Sequence, residues 1–119
     1  MSDQSRFQKL AADAKSRIAE ISPADAAALA KGGALLLDVR ELHEYAAGHA
    51  IGAQHLSRGL LELEIEEKAP NVETPILCMC GGGSRSALAA DNLQKMGYTK
   101  VKSVAGGLRA WEEAGLPTK

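Results

Sequence analysis

At 119 residues with 45% hydrophobic content, the chain is long enough for one domain around a single modest core. Aromatic residues make up only 3% of it, so Leu, Ile, Val and Ala must build that core. A formal net charge of −1 with no basic block argues against nucleic acid or an anionic membrane as the main partner, since both call for clustered Lys and Arg.

No apolar run approaches the roughly 20 residues of a membrane span. Residues 1–20 mix Asp3, Asp13 and Glu20 with Arg6, Lys9, Lys15 and Arg17. That mixture fits neither the unbroken apolar stretch of a secretory signal nor the acid-poor composition of a transit peptide. Cys78 and Cys80 are separated by one residue, and a disulfide at that spacing would close a tiny, strained loop. Both are read as thiols of a cytoplasmic protein.

Phe7, Leu10, Ala11, Ala14 and Ile18 keep helical spacing and predict an amphipathic helix from about Ser5 to Ala19. Residues 1–20 are therefore read as an N-terminal helical extension, and 21–119 as the domain proper. Ser22 and Pro23 open a second helix, by capping and by suiting its first turn, and Gly32-Gly33 stop it. The apolar run from Ala34 to Val39 fits a strand buried on both faces. A short helix follows over Glu41 to Ala47, ended by Gly48, and then a brief strand over Ala53 to Leu56. From Leu60 to Lys68, Leu61, Leu63 and Ile65 alternate with Glu62, Glu64 and Glu66, a pattern that suits an exposed strand or a helix, with helix preferred. Ile76 to Met79 is a second buried strand, Ser86 to Met96 a helix ended by Gly97, and Val101 to Val104 a further strand. Gly106-Gly107 lead into a last helix over Leu108 to Ala114. This alternation of strand and helix predicts an α/β fold, a parallel sheet with helices on both faces. Ligands of such sheets sit beyond the carboxyl ends of the strands, where Cys80 falls.

Cys80-Gly81-Gly82-Gly83-Ser84-Arg85 joins a buried strand to a helix. Three glycines let the backbone curl until several amide N–H groups point inward, and the helix start adds unpaired N–H groups and the positive end of its dipole. Arg85 adds a positive charge. The nearest anion for such a cradle is the Cys80 thiolate, whose pKa is expected below that of free cysteine.

The cysteine-to-arginine loop resembles that of the rhodanese-like sulfurtransferase family. Leu37-Asp38-Val39-Arg40-Glu41 with Glu44-Tyr45 looks like that family's early strand-and-turn motif. Gly48-His49-Ala50-Ile51-Gly52-Ala53-Gln54-His55 is similar to its next segment, and Val104 through Trp111 with Gly115-Leu116-Pro117 to its C-terminal signature. The resemblance implies a single rhodanese-like domain with a five-stranded parallel sheet. It also implies a sulfurtransferase in which Cys80 takes sulfane sulfur from a small donor such as thiosulfate and passes it, as a persulfide, to cyanide, a thiol or a protein acceptor. Amides of Gly81, Gly82, Gly83, Ser84, Arg85 and Ser86 then hold the persulfide, and Asp38 and Arg40 hold the turn beside the site. No metal or organic cofactor is implied. Related phosphatases and arsenate reductases carry one more loop residue, so the short loop favours sulfur over a tetrahedral oxyanion. Gly81 departs from the family, where a large polar side chain often follows the cysteine; that removes a possible contact to an anionic donor. A binding or redox-sensing module on the same fold is the alternative reading.

Cys78 reads either as a resolving thiol for Cys80 or as a buried strand residue, the latter preferred. Arg40 and Glu44, four apart, suit an ion pair. His43, His49 and His55 recur every six residues, which matches no common metal-ligand spacing. The acidic run at Glu62, Glu64, Glu66 and Glu67 reads as a solvated face. Trp111 anchors the last helix, and its indole N–H needs a partner if buried. Oligomeric state is open.

Overall fold

The apolar runs Leu35-Leu36-Leu37 and Ile76-Leu77-Cys78-Met79 call for cover on both faces, and the computed structural model, which describes residues 4–119, is arranged accordingly. Met1–Asp3, the start of the expected extension, lie outside the described residues. In chain order the elements are α1 (Arg6–Lys15), β1 (Ala19–Ile21), α2 (Pro23–Lys31), β2 (Leu35–Asp38), α3 (Leu42–Ala47), β3 (Gln54–His55), a 3₁₀ turn (Arg58–Leu60), α4 (Leu61–Lys68), β4 (Ile76–Met79), α5 (Ser84–Lys95), β5 (Val101–Val104) and α6 (Gly107–Glu113).

All five strands are parallel, in the order β1-β5-β4-β2-β3. β4 is thus the central strand. Alternate residues sort to the two faces. Leu37, Ile76, Cys78 and Val101 pack under α4 and α5 with Leu61, Ile65, Ala89, Ala90 and Leu93. Leu36, Leu77, Met79 and Val104 pack against the other layer with Ala26 of α2 and Trp111 of α6. The Trp111 indole N–H donates to Pro117 O at 2.9 Å, so its burial leaves no polar group unpaired.

The first helix ends at Lys15, four residues short of the expected Ala19, and the chain turns at Ser16 to form β1 against β5. Helical spacing continues through Ile18, but the free edge of β5 supplies hydrogen bonds that a longer helix would forfeit. α1 itself opens with a capping box: Gln8 N donates to Ser5 Oγ at 3.1 Å, and Ser5 N to Gln8 Oε1 at 3.0 Å. Its Ala11 and Ala14 are buried where α1 packs on α5, and Arg17 donates to Asp91 of α5 at 2.7 and 3.1 Å. Phe7 and Leu10 remain exposed.

The ambiguous segment is helical. Leu61 and Ile65, one turn apart, are buried, while Leu63 is 78% exposed. α5 starts at Ser84, two residues before the expected Ser86, which brings the loop directly onto a helix start. Among the described residues no helix is long and apolar enough to cross a membrane.

Candidate active site

The chain leaves the centre of the sheet at Cys80, surrounded by the carboxyl ends of its neighbours. The Cys80 side chain is 1% exposed. Gly83 N donates to Cys80 Sγ at 3.1 Å, and Ser86 Oγ lies 3.4 Å from the same sulfur. Gly83 is the N-cap of α5 with φ +101°, a conformation that glycine alone adopts without strain.

What aims the loop comes from 28 residues downstream. Leu108 N donates to Cys80 O at 2.7 Å and Arg109 N donates to Gly81 O at 3.1 Å. These amides belong to the first turn of α6 and have no acceptor within their own helix. With the carbonyls of Cys80 and Gly81 tied to α6, amides of Gly82, Gly83 and Ser86 are turned toward the sulfur. The approach is close: at Gly107, φ +58°, a Cβ would overlap Cys80 O and lie 2.8 Å from Gly81 C and O.

Burial pushes the Cys80 thiol up, but the Ser86 hydroxyl and the amides of Ser86, Gly83 and Gly82 outweigh it and hold the pKa below its ordinary value. Cys78 has no such donors. Burial and the neighbouring Cys80 push it up to about 12, and it lies fully enclosed in β4 as a free thiol. The surroundings thus favour the thiolate at Cys80 and disfavour it at Cys78.

Asp38, fully buried at the end of β2, is closed off by Arg40: Nε lies 3.0 and 3.1 Å from the two carboxylate oxygens, Nη2 lies 2.8 Å from Oδ2, and the Arg40 amide donates to Oδ1 at 3.0 Å. Arg40 Nη2 also donates to Gly48 O at 2.7 Å. The expected Arg40–Glu44 ion pair does not form. Arg40 precedes the extended N-cap Glu41, so the four-residue spacing does not follow a helical face. Glu44 instead receives Arg85, with Nη1–Oε1 at 2.7 Å and Nη2–Oε2 at 3.1 Å. The charge of Arg85 beside the loop is thereby largely offset, and the thiolate depends on hydroxyl and amide dipoles.

Of the remaining residues singled out in the loop, Gly81 and Ser84 are half-buried and Gly82 is exposed at its tip. His49 Nδ1 donates to Tyr45 O at 2.9 Å, with its ring stacked 3.8 Å from that of Tyr45; His55 Nε2 donates to Arg40 O at 2.8 Å. Both histidines brace the turn. Among the described residues no group of three or more His, Cys, Asp or Glu is placed to hold a metal ion.

One member of the constellation went unmarked in the sequence. Ser103 of β5 is fully buried, and its Oγ donates to Ser86 Oγ at 2.8 Å. The available signal was a hydroxyl at a buried position of β5, between the exposed Lys102 and the buried Val104.

The arrangement suits a sulfur nucleophile that takes on one further anionic atom beneath a ring of N–H donors. Comparison with known proteins points the same way. The family model for the Rhodanese-like domain matches residues 22–114. Thiosulfate sulfurtransferase GlpE of Pseudomonas fluorescens (strain SBW25) is 34% identical over 96 residues, spanning 81% of this chain and 86% of that protein. A structure from Rhodopseudomonas palustris CGA009, a protein of unknown function described as a possible tyrosine phosphatase, superposes with a TM-score of 0.83 at 32% identity, covering 100% of this chain and 98% of that one. The polysulfide-sulfur transferase homodimer of Wolinella succinogenes gives a TM-score of 0.82 at 30% identity, with 95% and 86% covered.

Proposed function

The chain belongs to the rhodanese-like domain family and is a sulfurtransferase of the rhodanese type, and from that premise we propose that it carries sulfane sulfur as a persulfide on Cys80. The Cys80 thiolate attacks the outer sulfur of a donor such as thiosulfate. A new S–S bond forms as the donor's own S–S bond breaks, and sulfite leaves with the bonding electron pair. An acceptor thiolate, small or on a protein, or cyanide, then attacks the outer sulfur and returns Cys80 to its thiolate. Gly81, Gly82, Gly83, Ser84, Arg85 and Ser86 form the cradle for that outer sulfur. Asp38, Arg40 and Glu44 support it by holding the neighbouring turn and Arg85. Residues 21–119 are the catalytic unit, with the N-terminal helix as an extension, at work in the cytoplasm.

The observation that carries this reading is the donor set on one buried sulfur: Gly83 N–H at 3.1 Å and the Ser86 hydroxyl at 3.4 Å, in a loop whose first two carbonyls, of Cys80 and Gly81, are tied to α6. Incubation with thiosulfate followed by intact-mass measurement is expected to show one added sulfur, removed by cyanide and absent in Cys80→Ser. No adduct with thiosulfate, polysulfide or a thiol persulfide would overturn the proposal.

The Rhodopseudomonas palustris similarity raises a phosphatase reading. The family resemblance implies a loop one residue shorter than in the related phosphatases, with little room for a tetrahedral phosphate. Hydrolysis of an aryl phosphate by the purified protein would favour that reading; the expected result is none.

A further inference from the structure

Ser103 lies in register with Cys78 on the neighbouring strand and shares the face of β5 that carries Val101 under α5. Its position sets its hydroxyl beneath the first turn of α5, 2.8 Å from Ser86 Oγ, which in turn stands 3.4 Å from Cys80 Sγ. Both serines and the cysteine are buried. The three atoms form a chain of hydrogen bonds closed to solvent.

The direction of that chain follows from counting protons. A thiolate only accepts, so the bond between Ser86 and Cys80 requires the Ser86 proton to point at sulfur. The Ser86 oxygen is then free to accept. Among the described residues Ser103 Oγ has no partner except Ser86, so its proton has only that oxygen to go to. Reversing the chain would leave the Ser103 proton unpaired in the interior, which is unfavourable. Each bond also polarises the next and strengthens the donor that meets the sulfur.

We propose that Ser103 is a positioning residue, acting through Ser86 to hold that hydroxyl as a donor to the sulfur of residue 80. The inference deepens the reading of Cys80 as sulfur carrier and rests on it for its functional meaning. Its test needs no sulfur donor, so the two can fail separately.

The experiment measures the rate of Cys80 alkylation by iodoacetamide against pH, with the site verified by mass, in wild type, Ser86→Ala, Ser103→Ala, Ser103→Thr, Ser103→Cys and the Ser86→Ala/Ser103→Ala double variant. Ser86→Ala is expected to raise the midpoint by about one pH unit and Ser103→Ala by about half a unit, the loss of a direct and an indirect hydrogen bond to charge. The double variant should match Ser86→Ala alone, because without Ser86 the Ser103 hydroxyl has nothing to transmit. Ser103→Thr should keep the wild-type midpoint, and Ser103→Cys, similar in size but a weak donor, should move it in the same direction as Ser103→Ala. A Ser103→Ala midpoint equal to wild type, or a shift that adds in full on the Ser86→Ala background, would overturn the proposal. Should Ser103→Ala fail to fold, the Thr and Cys variants decide the question by the same midpoints.

Discussion

Arg85 of α5 and Glu44 of α3 face each other as a two-point ion pair, with both N···O separations at 3.1 Å or less. Glu44 also accepts the Glu41 amide at 3.0 Å, so one carboxylate caps α3 and ties it to the first turn of α5. The hydrogen bonds from Arg85, opposed in part by burial, hold the Glu44 carboxyl well below the usual range, at about 2.

Acid should therefore separate wild type from Glu44→Gln. A carboxylate whose folded pKa is depressed contributes its full stability above its ordinary pKa, about 4.5, and loses it as pH falls toward about 2. The pair is roughly one-third exposed, so its worth at neutral pH is set at about 1 kcal/mol. Urea unfolding at several pH values should show the gap between the two proteins closing between pH 4.5 and 2. A gap that stays constant through that window would contradict the ion pair.

Asp38 and Arg40 behave differently because both are buried. Arg40→Met leaves a carboxylate stranded at the end of β2 and should reduce stability by about 3–5 kcal/mol. Adding Asp38→Asn should recover part of the loss. The measurement is chemical denaturation of the three proteins, and a loss below about 1 kcal/mol for Arg40→Met would mean that Asp38 draws on other partners.

The two thiols should be separable by labelling. At neutral pH the native protein is expected to take one alkyl group, on Cys80, and the unfolded protein two. Cys78, with its pKa raised to about 12 and its side chain enclosed, should react only after unfolding. Native labelling of Cys80→Ser would therefore be nil, and labelling of Cys78 in that folded variant would refute its purely structural role.

Glycines of the site should differ sharply in tolerance. Gly107→Ala drives a methyl group into Cys80 O at positive φ, and a loss of about 2–5 kcal/mol with slower alkylation of Cys80 is expected. At Gly81 the nearest atom to an added Cβ is the end of Arg85, 3.5 Å away, so Gly81→Ala should fold within about 0.5 kcal/mol of wild type. Thermal unfolding of both variants checks the contrast, and equal losses would refute it.

The parts of this fold that were legible in the sequence are those with a local signature. Ile76 to Met79 is apolar without a break because the central strand is covered on both faces, and the glycine triplet after it announces a tight turn wherever it occurs. Four strands and five of the six α-helices could be placed in that way, while the alternating pattern from Leu61 to Glu66 suits strand and helix alike. The fifth strand of the count rested on the family resemblance, since Ala19–Ile21 has only one buried residue and is held in place by β5 from the far end of the chain. The partner of Glu44 was misjudged for a related reason: sequence spacing ranks Arg40 first, whereas the folded geometry brings in Arg85 from another helix. Ser103 was missed because a single hydroxyl in a strand says nothing of what stands above it.

The tie between α6 and the loop has a consequence for how the molecule is made. A ribosome finishes Cys80 well before it adds Leu108 and Arg109, whose amides bind the carbonyls of Cys80 and Gly81. Until that last helix emerges and docks, nothing aims the loop, and the sulfur has the nucleophilicity of any cysteine in a nascent peptide. The hydrogen-bonded setting of the Cys80 sulfur is thus a property of the finished molecule, and a chain released early carries an ordinary cysteine in its place.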